Sequence, residues 1–326
     1  MILAGDIGGT SSRLAFFEAE KGRLSMVTER TYPSQKYKGL EEIAVAFAAT
    51  QPARIEAACF GIPGPVRNGR AVTPNLAWVV DSNSLARELG LKSLKLINDL
   101  EANAHGVAAL QPEDFVTLNP GAPDAQGNRT VISVGTGLGE AGMYWDGNCH
   151  HPFACEGGHV DFAPRNELET DLLHYLRAKF QRISYERVLS GPGLHLIYQF
   201  LRDTRRGEEP PALAKELQSA DPSAAISVAG MEGRYDICVK ALEMFVSFYG
   251  AEAGNLALKT MATGGVFVGG GIAPKIIKKL QGPTFMAAFV DKGRMRALLE
   301  AMPVRIIMNE STALLGAARC AAQCAG

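Results

Sequence analysis

Two stretches of the chain share one pattern: an apolar run, a glycine-rich turn carrying a threonine, and a second apolar run. The first covers residues 2–17, with Gly5, Asp6, Ile7, Gly8, Gly9 and Thr10 at and before its turn. The second covers residues 130–144, with Gly135, Thr136, Gly137 and Gly139. Adjacent or alternating glycines where the backbone must reverse are a hairpin signature. Each stretch therefore predicts two strands, and a single recurrence predicts two related domains rather than a solenoid. Between the hairpins the pattern alternates: residues 55–60 and 94–98 read as strands, 84–89 and 101–110 as helices, which predicts an α/β architecture. Residues 112–128, rich in proline and glycine, read as a connector. Helical periodicity dominates the second half. Asn166 predicts the cap of a helix in which Leu168, Leu172, Leu173, Leu176 and Phe180 share a face, with Glu169 placed for a capping box. Residues 205–211 read as a solvated loop, 235–258 as a long, largely buried helix, and 264–271 as a strand ending in Gly269, Gly270 and Gly271. A helix over 273–280 begun by Pro274, a strand over 304–308 and an Ala-rich helix over 312–323 complete the pattern.

Composition narrows what this architecture serves. At about 150 residues per domain, 326 residues fit two domains. A content of 47% hydrophobic and 21% charged residues excludes wholesale disorder. Thirty-three Lys+Arg against 34 Asp+Glu leave a net charge of −1, so no nucleic-acid partner is expected. No apolar run reaches the roughly 18 residues that cross a bilayer, and no basic leader opens the chain. Six cysteines without a Cys-x-x-Cys pair are too sparse for a disulfide framework. These features predict a soluble cytoplasmic protein with no membrane partner. Glycine alone is in excess: 35 of 326 residues, about 11%, where about 7% is usual.

Where the glycines cluster, chemistry is expected. Glycine lets backbone N–H groups approach an anion without an intervening side chain. Two such turns, each with a threonine hydroxyl, suit a polyphosphate held between two domains, and Asp6 suits magnesium bound through water. Asn98 and Asp99 fall at the carboxyl end of a strand, where α/β folds place their ligands. Asp99 there either accepts a proton from a substrate hydroxyl or caps the following helix. Glu156-Gly157-Gly158-His159 suggests a turn where a ligand crowds the backbone. Read locally, Glu186 is a solvated helix residue and Asn75 belongs to a loop anchored by Trp78. Cys149, His150, His151, Cys155, Glu156, His159 and Asp161 crowd into thirteen positions. The gap from Cys149 to Cys155 is nevertheless too wide for paired zinc ligands, and no zinc is expected. Familiar rivals fail: no Gly-Lys dipeptide exists for a Walker A loop, and the Gly137-x-Gly139-x-x-Gly142 pattern leads into a strand, not a helix. No His-Arg-Asp or Asp-Phe-Gly supports a protein kinase.

Taken together, the motifs resemble the bacterial glucokinases of the non-zinc-binding type, within the superfamily that joins actin, heat-shock chaperones and sugar kinases. The resemblance runs from Gly5-Asp6-Ile7-Gly8-Gly9-Thr10 through Ile97-Asn98-Asp99 and the second glycine turn. It continues over Glu156-Gly157-Gly158-His159-Val160-Asp161-Phe162-Ala163-Pro164 and Glu186-Arg187-Val188-Leu189-Ser190-Gly191-Pro192-Gly193, and ends at residues 264–272. It implies two actin-like, ribonuclease-H-like α/β domains around a cleft, formed by residues 1–110 with 311–326 and by 111–310. The activity implied is ATP-dependent phosphorylation of D-glucose at its 6-hydroxyl, feeding glycolysis, by a homodimer using Mg²⁺. By the same resemblance Asp99 is the general base, and Asn75, Asn98, Asp99, Glu156, His159 and Glu186 hold the sugar. Gly5, Asp6, Ile7, Gly8, Gly9, Thr10, Gly135, Thr136 and Gly137 bind the ATP phosphates, with Gly269, Gly270 and Gly271 near the adenosine. Two departures stand out. Glu140 follows the second turn where the family carries an apolar residue, and would repel phosphates unless it points away. Residues 60–65 follow the corresponding family loop only loosely. The alternatives are a kinase for another hexose or amino sugar, and an actin-like or chaperone-like ATPase.

Overall fold

A computed structural model describes residues 1–20, 23–73, 76–92 and 94–324. The first third of the chain supplies β1 (Ile2–Ile7), β2 (Ser11–Glu20), β3 (Arg23–Pro33), β4 (Ala57–Ile62), β5 (Val66–Arg67), β6 (Arg70–Val72), β7 (Val79–Asp81) and β8 (Lys95–Asn98). The remainder supplies β9 (Phe115–Asn119), β10 (Arg129–Val134), β11 (Leu138–Trp145), β12 (His150–Cys155), β13 (Gly265–Gly269) and β14 (Val304–Ile307). One sheet has the order β3-β2-β1-β4-β8; the other has β12-β11-β10-β13-β14-β9. In each, three consecutive strands form an antiparallel meander, and two later strands add in parallel beside the first of the three. The repeated hairpin of the sequence thus heads two sheets built to the same plan, as an actin-like α/β fold requires. A small sheet of β5, β6 and β7 lies apart.

Apolar faces explain the layers. The helix Asp236–Thr260 buries Phe245, Val246, Phe248 and Tyr249, and the Tyr249 hydroxyl donates to the Gly269 carbonyl at 2.8 Å, tying the helix to β13. The C-terminal helix Thr312–Cys324 returns to the first sheet, where Leu314, Ala317 and Ala318 pack with Ile2, Ala4 and Cys59. The helix Asp99–Val107 is the wedge between the sheets. Its Ala102 meets the first sheet's core, while Ala104 and Val107 pack with Val131, Ala141 and Met143 of the second. Among the described residues, no helix is long and apolar enough to cross a membrane.

Several boundaries differ from expectation. The stretch 112–128 is not only a connector: β9 closes the second sheet's edge, antiparallel to β14, and Asn119 Nδ2 fastens it to the carbonyls of Glu300 and Met302 at 2.9 and 2.7 Å. Residues 273–280 begin as a 3-10 turn, Ala273–Ile276, before one α-turn, Ile277–Leu280. The Asn166-capped helix is Glu167–Arg177; Leu172 and Leu176 are buried, but Leu168 is exposed and Phe180 lies beyond its end. Residues 205–211 are anchored as well as solvated, since Glu209 accepts from the Tyr198 hydroxyl at 2.6 Å.

Candidate active site

The site grows from the carboxyl ends of the central strands. Register pairs Asp6 of β1 with Gly61 of β4, and Ile62 of β4 with Asn98 of β8. Asp6 and Asn98 therefore emerge along one sheet edge. Asn98, with extended backbone, is the N-cap: its Oδ1 accepts the N–H groups of Leu100 (2.9 Å) and Glu101 (3.2 Å), and its Nδ2 donates to the Gly64 carbonyl at 3.2 Å. Capping thus falls to Asn98, whose Oδ1 is spent on it, and Asp99 occupies the first helical turn. That turn favours an ionised carboxylate, and Leu100 N–H approaches Asp99 Oδ1 at 2.9 Å. Burial and like charge win nonetheless. Desolvation, the Asp6 carboxylate and the Glu156 carboxylate push the Asp99 carboxyl up to about 7. Asp6 is itself raised by burial, against the pull of Arg13. Acids from two separated segments thus lie close enough for Asp99 to feel both.

The second turn is organised by Glu186, at the start of the short helix Tyr185–Val188. Its Oε2 accepts the Leu138 N–H at 3.0 Å, and its Oε1 lies 3.9 Å from His159 Nδ1. A Cβ on Gly137 would stand 2.6 Å from the same carboxylate, so this glycine makes room for Glu186. Glu186 is therefore not merely a solvated helix residue. Gly135 is open where a Cβ would project, and its carbonyl accepts from Gly191 N–H at 2.8 Å. Thr136, like Thr10, is exposed.

Glu156 and His159 flank the 3-10 turn Gly157–His159, where the His159 N–H donates to the Glu156 carbonyl at 3.1 Å. Both side chains are exposed, and Arg182 holds the turn by donating to the His159 carbonyl at 2.7 Å. Its two glycines answer to protein rather than ligand. A Cβ on Gly158 would strike the Leu138 carbonyl, and one on Gly157 the Glu140 carboxyl. Glu140 points away from the second turn: it is 1% exposed, lies beneath Gly157, and is raised well above the usual carboxylate range by burial and by Glu252. Gly5 is likewise a packing glycine, since a Cβ there would collide with the Phe60 ring.

At the third cluster, Gly270 adopts φ 87° and lies against the Val134 backbone, while Gly271 faces open space. Gly269–Gly271 therefore abut the strand that leads into the second turn. Gly8 N–H donates to the Ser11 carbonyl at 2.9 Å, closing the first turn around Gly9 and following Ile7, which is buried. Asn75 lies outside the described residues. Its neighbour Trp78 is buried, donating Nε1–H to the Tyr37 carbonyl at 3.2 Å. The seven clustered Cys, His and acidic residues do not assemble as one set: the Cys155 thiol donates to the Glu140 carbonyl, and His150 Nε2 lies 3.1 Å from the Gly127 carbonyl.

Arg13 and Leu100 were not legible as site residues. Arg13 sits opposite Asp6 and donates to the Glu310 carbonyl and Ser311 Oγ at 2.7 and 2.9 Å, bracing the approach to the C-terminal helix. The only cue is an arginine immediately before the apolar run at residues 14–17 of β2. Leu100 fills the space beside Gly139, bringing the Asp99 helix onto β11.

The family model described as Glucokinase matches residues 3–324. The glucokinase of Nostoc sp. is 42% identical over 99% of this chain and 99% of its own length; that of Nostoc punctiforme is 44% identical over the same shares. Among solved structures, a glucokinase from an Antarctic psychrotroph superposes with a TM-score of 0.83 at 30% identity, covering 99% of this chain and 98% of that one.

Proposed function

The chain belongs to the glucokinase family, and from that premise we propose that it is a hexose kinase converting D-glucose and ATP to glucose 6-phosphate and ADP, with Asp99 as base. The observation that carries the assignment of the base is the position of Asp99: at the first turn of the wedge helix, raised to about 7 by burial, Asp6 and Glu156. A carboxyl poised there is substantially ionised near neutrality yet binds a proton readily, which is what a general base needs. In the step, the sugar 6-oxygen bonds to the γ-phosphorus, its proton passes to an Asp99 carboxylate oxygen, and the bond from the γ-phosphorus to the bridging oxygen breaks to release ADP.

The remaining roles follow from placement. Glu156 and His159 flank one turn, Glu186 lies beside His159, and all three would accept from or donate to sugar hydroxyls. Asn98 would act chiefly by orienting Asp99, because its own oxygen caps the helix, and Asn75 would add a sugar contact. The turns Gly5 to Thr10 and Gly135 to Gly137 would take the phosphates, with Gly269 to Gly271 towards the adenosine. Asp6 fits a magnesium ion bound through water: it offers hard oxygen donors, and its raised carboxyl would be stabilised as the anion by a nearby cation. Bound there, magnesium would neutralise charge developing on the transferred phosphoryl group. The two domains of this reading, residues 1–110 with 311–326 and residues 111–310, agree with the separate sheets and with the C-terminal helix packing on the first. Assembly as a homodimer and a cytoplasmic location belong to the same proposal. Replacing Asp99 by Asn should cut kcat by about 10²–10⁴-fold while ATP binding, followed by calorimetry, is retained; near-normal turnover would remove Asp99 from its role. A hexose panel with ATP and magnesium tests the sugar: preference for an amino sugar would overturn glucose.

A further inference from the structure

The turn of the β11–β12 hairpin carries a set of donors that phosphoryl transfer does not use. Asp146 Oδ2, Cys149 Sγ and His151 Nε2 converge: the imidazole nitrogen is 2.7 Å from the carboxylate oxygen and 3.2 Å from the sulfur, and sulfur and carboxylate oxygen are 3.5 Å apart. Among the described residues this is the one group of three His, Cys, Asp or Glu donors that close together. The local fold builds it. Asp146 Oδ1 accepts the N–H groups of Asn148 and Cys149, both at 2.8 Å, which fixes the carboxylate and leaves Oδ2 directed at the other two donors. Gly147, at φ 98°, turns the chain between them. His150 faces away, towards the Gly127 carbonyl, and takes no part.

We propose that this hairpin turn binds one divalent transition-metal ion of the zinc class through Asp146, Cys149 and His151, with solvent in the fourth position. An ion at about 2.0–2.2 Å from oxygen and nitrogen and about 2.3 Å from sulfur holds tetrahedral ligands roughly 3.3–3.6 Å apart. Two of the three separations already approach that spacing, and the third opens by a small rotation of the imidazole. Thiolate and imidazole select this class over magnesium or calcium, which prefer oxygen. All three residues are exposed, His151 by 57% of its side chain, so an ion reaches them without unfolding. Spacing between cysteines alone does not find the set, because it has one cysteine and draws Asp146 from the preceding strand end. The ion would pin the turn from which β12 runs to Cys155 and on to Glu156.

The full-length reduced protein, titrated with Zn²⁺ alone by calorimetry and with Co²⁺ alone by absorption, tests this. One equivalent should bind, and Co²⁺ should show a near-ultraviolet thiolate-to-metal band. Cys149→Ser should abolish that band and His151→Asn should weaken Zn²⁺ binding by about tenfold or more, whereas Cys155→Ser should change neither. In the unaltered protein, Zn²⁺ should slow alkylation of Cys149 and leave Cys155 unaffected. Absence of saturable binding, or binding indifferent to both the Cys149 and His151 changes, would overturn the site.

Discussion

A carboxyl that burial and two neighbouring acids hold at about 7 would, as the proposed base, make turnover sensitive to pH in a defined direction. Below that value Asp99 carries a proton and cannot take another. The kcat/KM for glucose should therefore rise about tenfold per unit as pH climbs towards 7 and level off above it. Glu156→Gln removes one of the like charges, so its inflection should move to lower pH, whatever the change in plateau height. A profile flat from about pH 5 to 8 would exclude Asp99 as the titrating base. At this scale the sequence was legible in kind more than in cause. Asn98 and Asp99 stood out at a strand end, but only packing assigns the cap to one and frees the other. Glycine clusters marked turns and strand ends, yet Gly5, Gly157 and Gly158 answer to Phe60, Glu140 and Leu138, contacts distant in sequence that no local pattern encodes.

The elements read best where periodicity is long. Both hairpins and the 25-residue helix Asp236–Thr260 lie close to their expected places. The five-residue edge strand β9 was hidden between proline and glycine signals, because its identity comes from pairing with β14. Strand β11 and the long helix also share a buried acidic contact, Glu140 beside Glu252. A carboxyl raised in the folded protein keeps a proton that the unfolded chain has released. Unfolding free energy should therefore fall as pH rises from about 5, near the ordinary glutamate value, towards neutrality and beyond. Glu140→Gln should flatten that slope in urea denaturation series; an unchanged slope would show that Glu140 does not carry it.

Across the whole molecule, two sheets of one plan are bridged by a wedge helix that carries Asp99 at its tip and packs on both. Duplication was legible from the recurring hairpin, since both copies keep strand, glycine and threonine in order. The wedge was not, because its two faces bind residues far apart along the chain. If the halves swing together on sugar, excluding water that would compete for the phosphoryl group, small-angle scattering should record a smaller radius of gyration with glucose than without. An unchanged radius would point to a cleft fixed in advance.

Glu186 joins two parts of the second half, one oxygen on the second glycine turn and the other towards His159. If, as proposed, that turn holds phosphate and His159 holds sugar, a side chain restrained by both would couple the two ligands energetically. Linkage then requires reciprocity: by whatever factor glucose improves the hold on nucleotide, nucleotide improves the hold on glucose. Were that coupling positive, the phosphoryl donor would be held most firmly when an acceptor is present, which would spare ATP when sugar is scarce.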